Sequence, residues 1–316
     1  MPWVVGIDEA GYGPNLGPLV QAAVALYLPD DDPAGWTTLK GVVRRCGERK
    51  KKGDERLLID DSKKVYARGG FEALERGVLR LTPISVDVAE FVRKVGLKSS
   101  ADDLGGETWY QPTEELPLTP GLGRWWEATR PGLPWPEGVK VGGEEVSIVA
   151  APRFNRICDE SGSKGTVLAR GLVELLSQYP ANLSRGDEPI HFLCDKQGGR
   201  NFYAALIQQA FPTGWVVIEK ESAEESRYRV EQLGRPVTVT FRPRADGDSV
   251  SVALASMLCK YLREVCMRQF NRFWATHVPG IAPTAGYPVD AKRFFAEINP
   301  AMAKLGLTDD QVWRKK

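Results

Sequence analysis

The chain opens MPWVVGIDEAGYGPNLGPLVQAAVALYL, and no other stretch limits the fold as tightly. An apolar run, WVVGID, leads directly into two adjacent carboxylates, Asp8 and Glu9. Gly11, Gly13 and Gly17 follow, bracketed by Pro14 and Pro18, and a second apolar run fills residues 19–28. Turn chemistry between two apolar runs predicts a pair of strands. Charge is costly where a strand enters a core, so the two acids belong at the strand's open end, facing a cleft. Neighbours on a regular strand point to opposite faces. For both acids to serve one site, the AGYG segment must distort the strand end or Glu9 must reach around it.

Downstream, strands alternate with helices. Asp61 or Ser62 can cap a helix over roughly 65–80, after a loop carrying the basic run RRCGERKKKGDER at 44–56. ISVDVAEF reads as a strand. GTVLARGLVELLSQY (165–179) has helical spacing, HFLCD (191–195) is a short strand ending on Asp195, and GWVVIEKES (214–222) reads as another strand. A long helix covers 248–274, with Asp248 or Ser249 at its start. This order predicts the α/β class with a central mixed sheet flanked by helices. Residues 97–150 break the pattern. They are rich in Pro and Trp and lack a sustained period, which predicts an irregular but ordered insertion between a body of 1–96 and 151–316. Its Trp109, Trp125, Trp126 and Trp135 either pack on that body or wall a groove.

Composition excludes several classes. A net charge of +1 rules out a uniformly basic nucleic-acid coat, so any polyanion site must be local. Five cysteines with no C-x-x-C pair predict free thiols in a reducing compartment. No leader pattern and no apolar run of about 18 residues is present, which predicts a cytoplasmic protein without membrane partners. A monomer is expected.

Asp8, Glu9 and Asp195 stand at strand ends, and Glu264 lies within the long helix. Taken singly, each is explained as a cap or a surface charge. Brought together, four carboxylates are unfavourable without cations. Two Mg²⁺ or Mn²⁺ ions would cancel that charge, and oxygen-only ligands suit hard metals. Such a site performs in-line phosphoryl chemistry. Zinc fits poorly, because His191 and His277 are the only histidines and no His/Cys spacing matches. The glycine loop could bring backbone N–H groups to a phosphate or ribose hydroxyl, although its spacing is neither a P-loop nor a dinucleotide fingerprint. On the long helix, Ser256, Lys260 and Glu264 share one face beside an apolar stripe of Met257, Tyr261 and Val265. Lys260 is either a helix-stabilising partner of Glu264 or a cation beside the acid cluster.

These residues also carry a resemblance. GIDEAGYGPNLGPLVQAAV resembles the opening of ribonuclease HII, the type 2 ribonuclease H, which reads D-E-A-G-R-G-P followed by G-P. IDDSKKV resembles its D-S-K-K segment and HFLCDKQGGRNFY its third acidic strand. RADGDSVSVALASMLCKYLRE resembles its A-A-S-I-x-A-K-x-x-R-D helix, and AGYPVDAK its G-Y-P-x-D-P motif. These blocks span about two thirds of the chain and leave 97–150 unmatched. The resemblance implies an RNase H-like fold and metal-dependent cleavage of the RNA strand in RNA–DNA hybrids or ribonucleotide-containing duplexes. It implies Asp8, Glu9, Asp195 and Glu264 as metal-binding acids, and Gly11, Tyr12 and Gly13 as the loop that reads the ribose 2′-OH. It places Tyr287 against a sugar, and Lys63 and Lys64 toward backbone phosphates. Two positions depart from it. Tyr12 stands where ribonuclease HII has Arg and ribonuclease HIII has Lys, and Glu264 matches the glutamate of ribonuclease HIII rather than the aspartate of HII. Two other readings stay open: a nuclease of the same fold acting on branched or single-stranded DNA, and a catalytically silent hybrid-binding protein.

Overall fold

The computed structural model describes residues 1–82, 84–129, 135–183 and 186–315, so 130–134 of the Trp/Pro-rich stretch lie outside the described residues. β1 (Trp3–Ala10) and β2 (Leu19–Tyr27) form the expected antiparallel pair, with Asp8 opposite Ala22 and Glu9 opposite Gln21. The basic run expected as loop contributes a small parallel sheet, β3 (Val43–Arg44) with β4 (Leu57–Leu58). α1 (Ser62–Leu81) starts where expected: the Asp61 carboxylate accepts the Lys63 N–H at 2.8 Å.

Two expectations need correction. ISVDVAEF is not a strand; its second half enters α2 (Val88–Val95). Val88, Phe91, Val92 and Val95 recur at helical spacing on one buried face, and the Asp87 carboxylate caps the Glu90 N–H at 2.7 Å. That stripe and cap outweigh the β-branched composition. Nor is 97–150 irregular throughout. It holds α3 (Lys98–Gly105), α4 (Gly123–Thr129) and β5 (Lys140–Val149), and β5 pairs with β2 in the main sheet. The Gly142–Gly143 and Glu144–Glu145 pairs hide the apolar alternation of β5 in the sequence. Trp109 and Trp126 are buried, and Trp125 and Trp135 pack partly against the core. Trp109 lies edge-on to Phe270, 5.0 Å between centroids.

α5 (Ala151–Ser161), α6 (Gly165–Asn182), β6 (Ile190–Asp195), α7 (Ala204–Ala210) and β7 (Trp215–Glu221) follow. β8 (Ser226–Glu231) and β9 (Val237–Arg242), not anticipated from the sequence, alternate buried with more exposed side chains. After a 3₁₀ turn at 245–247 come α8 (Val250–His277), α9 (Pro288–Leu305) and α10 (Asp309–Val312).

The main sheet has seven strands in the order β5-β2-β1-β6-β9-β8-β7. β1–β6 and β6–β9 pair in parallel and the other neighbours antiparallel, giving the mixed α/β fold expected. Val4, Val20, Ala22 and Val24 face α1 and α8, whereas Trp3, Val5 and Ile7 pack with Leu172 and Tyr179 of α6 and Ile207 of α7. α8 lies directly on β1. A Cβ at Gly6 would sit 2.2 Å from the Ser251 backbone, so only glycine permits this approach. Among the described residues no helix is long and apolar enough to cross a membrane. All five cysteines are free.

Candidate active site

The central parallel strands separate where the acids begin. β1 and β6 pair from Trp3/Ile190 to Ile7/Cys194, and no further. β1 itself remains regular, because its ladder to β2 continues to Ala10. The AGYG segment therefore does not distort the strand end. The gap comes from the parting of β1 and β6, and it lets residues of both faces reach one space. Asp8, Glu9 and Asp195 lie just past the last pair and line a single cavity of about 570 Å³. Crevices at the carboxyl ends of parallel strands are where open α/β sheets bind ligands.

The acids perturb one another. Burial pushes the Asp8 carboxyl up to about 7; the Ser256 hydroxyl opposes this, and Asp195 and Asp246 add to it. Glu9 is raised well above its ordinary value by burial, then by Asp8 and Asp195, with Lys63 pulling the other way. Asp195 is raised by burial against backbone N–H groups of Ala245, Arg244 and Lys196, the first at 3.0 Å. Arg244 holds φ 59°, a left-handed conformation that is strained for a non-glycine residue. The 3₁₀ turn that follows carries Asp246, a further acid in the cavity wall, itself raised by burial, Asp61 and Asp195.

Two buried arginines fix the glycine loop. Arg263 of α8 donates to the carbonyls of Pro18 (2.6 Å), Leu16 (3.1 Å) and Ala285 (3.0 Å). Arg314, beyond α10, donates to the carbonyls of Gly11 (2.6 Å) and Pro14, over the face of Phe154. Burial pulls the Arg314 guanidinium down to about 9. Gly11 has φ 89°, and a Cβ there would lie 2.6 Å from the Pro18 carbonyl. Gly13 is exposed and under no such demand. The Tyr12 ring is half-buried and carries the Lys164 ammonium over its face, 4.7 Å from the centroid.

The other expected residues divide. Gly11, Tyr12, Gly13, Lys63, Lys260, Glu264 and Tyr287 all border the acid cavity. Glu264 is paired with Lys260 at 2.5 Å, and Lys260 also lies 4.8 Å from the Tyr66 ring. The helix-stabilising pair and the position beside the cluster thus coexist. Tyr287, 56% exposed, sits at the N-terminus of α9. Lys64 does not border the cavity; it bonds Asp60 at 3.5 Å. Sequence reasoning missed Asp246, Arg244, Arg263, Arg314 and Lys164. Asp246 had a local signal, as an acid in the turn leading into a capped helix, and Arg263 stood on the arginine of the long helix's matched motif.

Among the described residues no three of His, Cys, Asp and Glu stand in metal-holding geometry. By chemistry, however, the donor set fits hard divalent ions. It is all oxygen, and the carboxyls of Asp8 and Glu9 are raised chiefly by burial and further by neighbouring carboxylates, the two penalties that a bound cation would offset.

No protein-family model matches the chain, and no curated protein matches it by sequence. Solved structures of type 2 ribonucleases H do align with it. The ribonuclease H2 of Pyrococcus horikoshii OT3 is 15% identical, with a TM-score of 0.44 over 98% of this chain and 92% of that one. The ribonuclease HII of Archaeoglobus fulgidus, solved in complex with PCNA, is 15% identical, with a TM-score of 0.42 over 99% and 94%. Bst-RNase HIII in complex with Mn²⁺ is 16% identical, with a TM-score of 0.44 over 99% of this chain and 66% of that one. Identities this low leave the chemistry to be argued from this chain's own residues.

Proposed function

We propose that the chain is a divalent-metal-dependent endonuclease that hydrolyses the RNA strand of RNA–DNA hybrids. The observation that carries this is the meeting of the adjacent Asp8 and Glu9 with Asp195, distant in the chain, in one cleft whose burial penalises their charge. Asp8, Glu9 and Asp195 would hold the metal, with Glu264 and Asp246 in the same wall. Two bound Mg²⁺ or Mn²⁺ ions would supply water activation and stabilise the leaving oxygen.

The remaining roles belong to the protein. The loop from Gly11 to Gly13, anchored by Arg263 and Arg314, presents a rigid backbone edge beside the acids, where a 2′-hydroxyl distinguishes RNA from DNA. Tyr287 offers an exposed ring at the rim for stacking on a sugar or base. Lys63, Lys260, Arg244 and Arg268 add positive charge around the cleft for phosphates.

The decisive experiment compares labelled duplexes that carry one ribonucleotide, four ribonucleotides, an all-RNA strand, or DNA alone, with Mg²⁺ or Mn²⁺. Cleavage confined to ribonucleotide-containing strands is the expected result. Equal cleavage of all-DNA substrates would replace it with a DNA nuclease on the same fold. Hybrid binding without cleavage would leave a silent binding protein.

A further inference from the structure

A second concavity lies along α1, beyond the acid cleft. Asp61, Ser62 and Lys63 at the start of α1 border the cleft, whereas Arg68, Arg76 and Arg80 further on border a cavity of about 910 Å³. The small β3–β4 sheet and α4 supply its other walls, through Arg44, Leu57 and Trp125 among others. Basic residues dominate: Arg44, Lys50, Arg56, Arg68, Arg76 and Arg80 face three acids, Asp54, Glu55 and Glu72. Two of those acids are already engaged. Arg56 grips Asp54 through two bonds of 3.0 Å, and Arg76 binds Glu72 at 2.8 Å. The guanidinium of Arg76 also lies over the Trp125 ring, 4.5 Å from its centroid, which holds it at the cavity wall.

Arg44 decides the character of this site. It is 8% exposed, and its Nε and Nη1 have no hydrogen-bond partner among the described residues. Its backbone is fixed in the β3–β4 pair, where its carbonyl accepts the Ile59 N–H at 3.0 Å. The Asp54 carboxylate interacts with its charge but is already gripped by Arg56, so an incoming anion would supply the acceptors that Nε and Nη1 lack. Guanidinium forks match phosphate oxygens in pairs.

We infer that this cavity binds an oligophosphate, with Arg44 as its innermost contact. The shared chemistry has two sources, a free nucleoside di- or triphosphate and the phosphorylated 5′ end of a nucleic-acid strand. The volume falls within the roughly 300–1,000 Å³ of small-molecule sites. A continuous diester backbone tracks a surface, whereas a free or terminal phosphate can enter as deep as Arg44. The inference does not depend on the nuclease reading.

The test is calorimetric titration of the full chain, in EDTA, with inorganic tripolyphosphate, ATP, and a decathymidylate bearing a 5′-phosphate or a 5′-hydroxyl. The wild type is expected to bind at least one phosphorylated probe. Arg44→Gln should weaken that binding tenfold or more. Because Arg44 is buried, the pair Arg68→Gln with Arg76→Gln on the cavity rim serves as a second variant and should weaken it comparably. Asp8→Asn should leave it unchanged, which separates this site from the acid cleft. Preference for the 5′-phosphate over the 5′-hydroxyl oligonucleotide assigns the strand end; tight binding of ATP and tripolyphosphate without that preference assigns the free oligophosphate. No binding of any phosphorylated probe, or binding that survives both the Arg44 and the rim variants, overturns the inference.

Discussion

The acid cleft and the basic cavity both border α1, which is kinked at Gly70, and each carries an excess of one sign of charge where solvent is partly excluded. They relieve that repulsion differently. In the cleft the carboxyls can take up protons, and burial pushes Asp8 up to about 7. In the cavity Arg56 and Arg76 are relieved by internal ion pairs, whereas Arg44 has the charge of Asp54 nearby but keeps Nε and Nη1 without a hydrogen-bond partner among the described residues. The contrast teaches that a cluster of buried acids can persist without its ligand by changing protonation, whereas an arginine buried at a cavity wall leaves donors that an anion entering the cavity can satisfy.

The largest expected effect tests the cleft's half of this contrast. Asp8→Asn or Asp195→Asn should abolish Mg²⁺- or Mn²⁺-dependent cleavage while the fold persists. The folded-state value of Asp8, about 7, lies above its ordinary 3.8, so the native state holds the proton more tightly than the unfolded chain. The ionised group therefore destabilises the metal-free protein increasingly as pH rises from about 4 to 7. Asp8→Asn should raise Tm at pH 8 and lose that advantage at pH 4. Near wild-type turnover in either variant, or a Tm gain independent of pH, would break the comparison.

A smaller effect is expected at the cleft's rim. Stacking on a sugar or base contributes about 1–3 kcal/mol, so Tyr287→Ala should lower kcat/KM on hybrids roughly ten- to a hundredfold. Unchanged kinetics would return Tyr287 to an exposed aromatic with no part in binding, and would confine substrate contacts to charge.

The smallest effect concerns Tyr12. Backbone recognition of a 2′-hydroxyl survives the absence of a basic side chain there, but Tyr12 supplies no charge. The protein should therefore need several consecutive ribonucleotides for efficient cleavage. Lys164 already brings a cation against the ring, so Tyr12→Arg should improve single-ribonucleotide cleavage relative to four ribonucleotides by only roughly two- to fivefold, the worth of a solvent-exposed ion contact. Equal wild-type cleavage of both substrates would remove position 12 as the discriminator.

Much of this molecule was legible before folding. Local periodicity and punctuation placed β1, β2, α1, α6, β6, β7 and α8, because apolar spacing, caps and turns act within a few residues. The same locality explains the errors. ISVDVAEF has β-branched composition, and only the packed face of Val88, Phe91, Val92 and Val95 reveals the helix. β5 is obscured by Gly142–Gly143 and Glu144–Glu145, and it becomes a strand because β2 offers it an open edge. Asp8, Glu9 and Asp195 were likewise visible as strand-end carboxylates, and the glycine loop as a turn.

Tertiary structure alone decided what those residues meet. The parting of β1 from β6 creates the cleft, and no spacing within either strand encodes it. Arg263 and Arg314 reach the glycine loop from α8 and the C-terminal segment, each buried only because distant elements close over it. Asp246 joins the acids, Lys64 turns to Asp60 instead, and Arg44 of a basic run expected as loop ends up enclosed. Helical and strand periods are properties of neighbouring residues. Desolvation and Coulomb energy depend on depth and distance in space, and those exist only once the chain has packed.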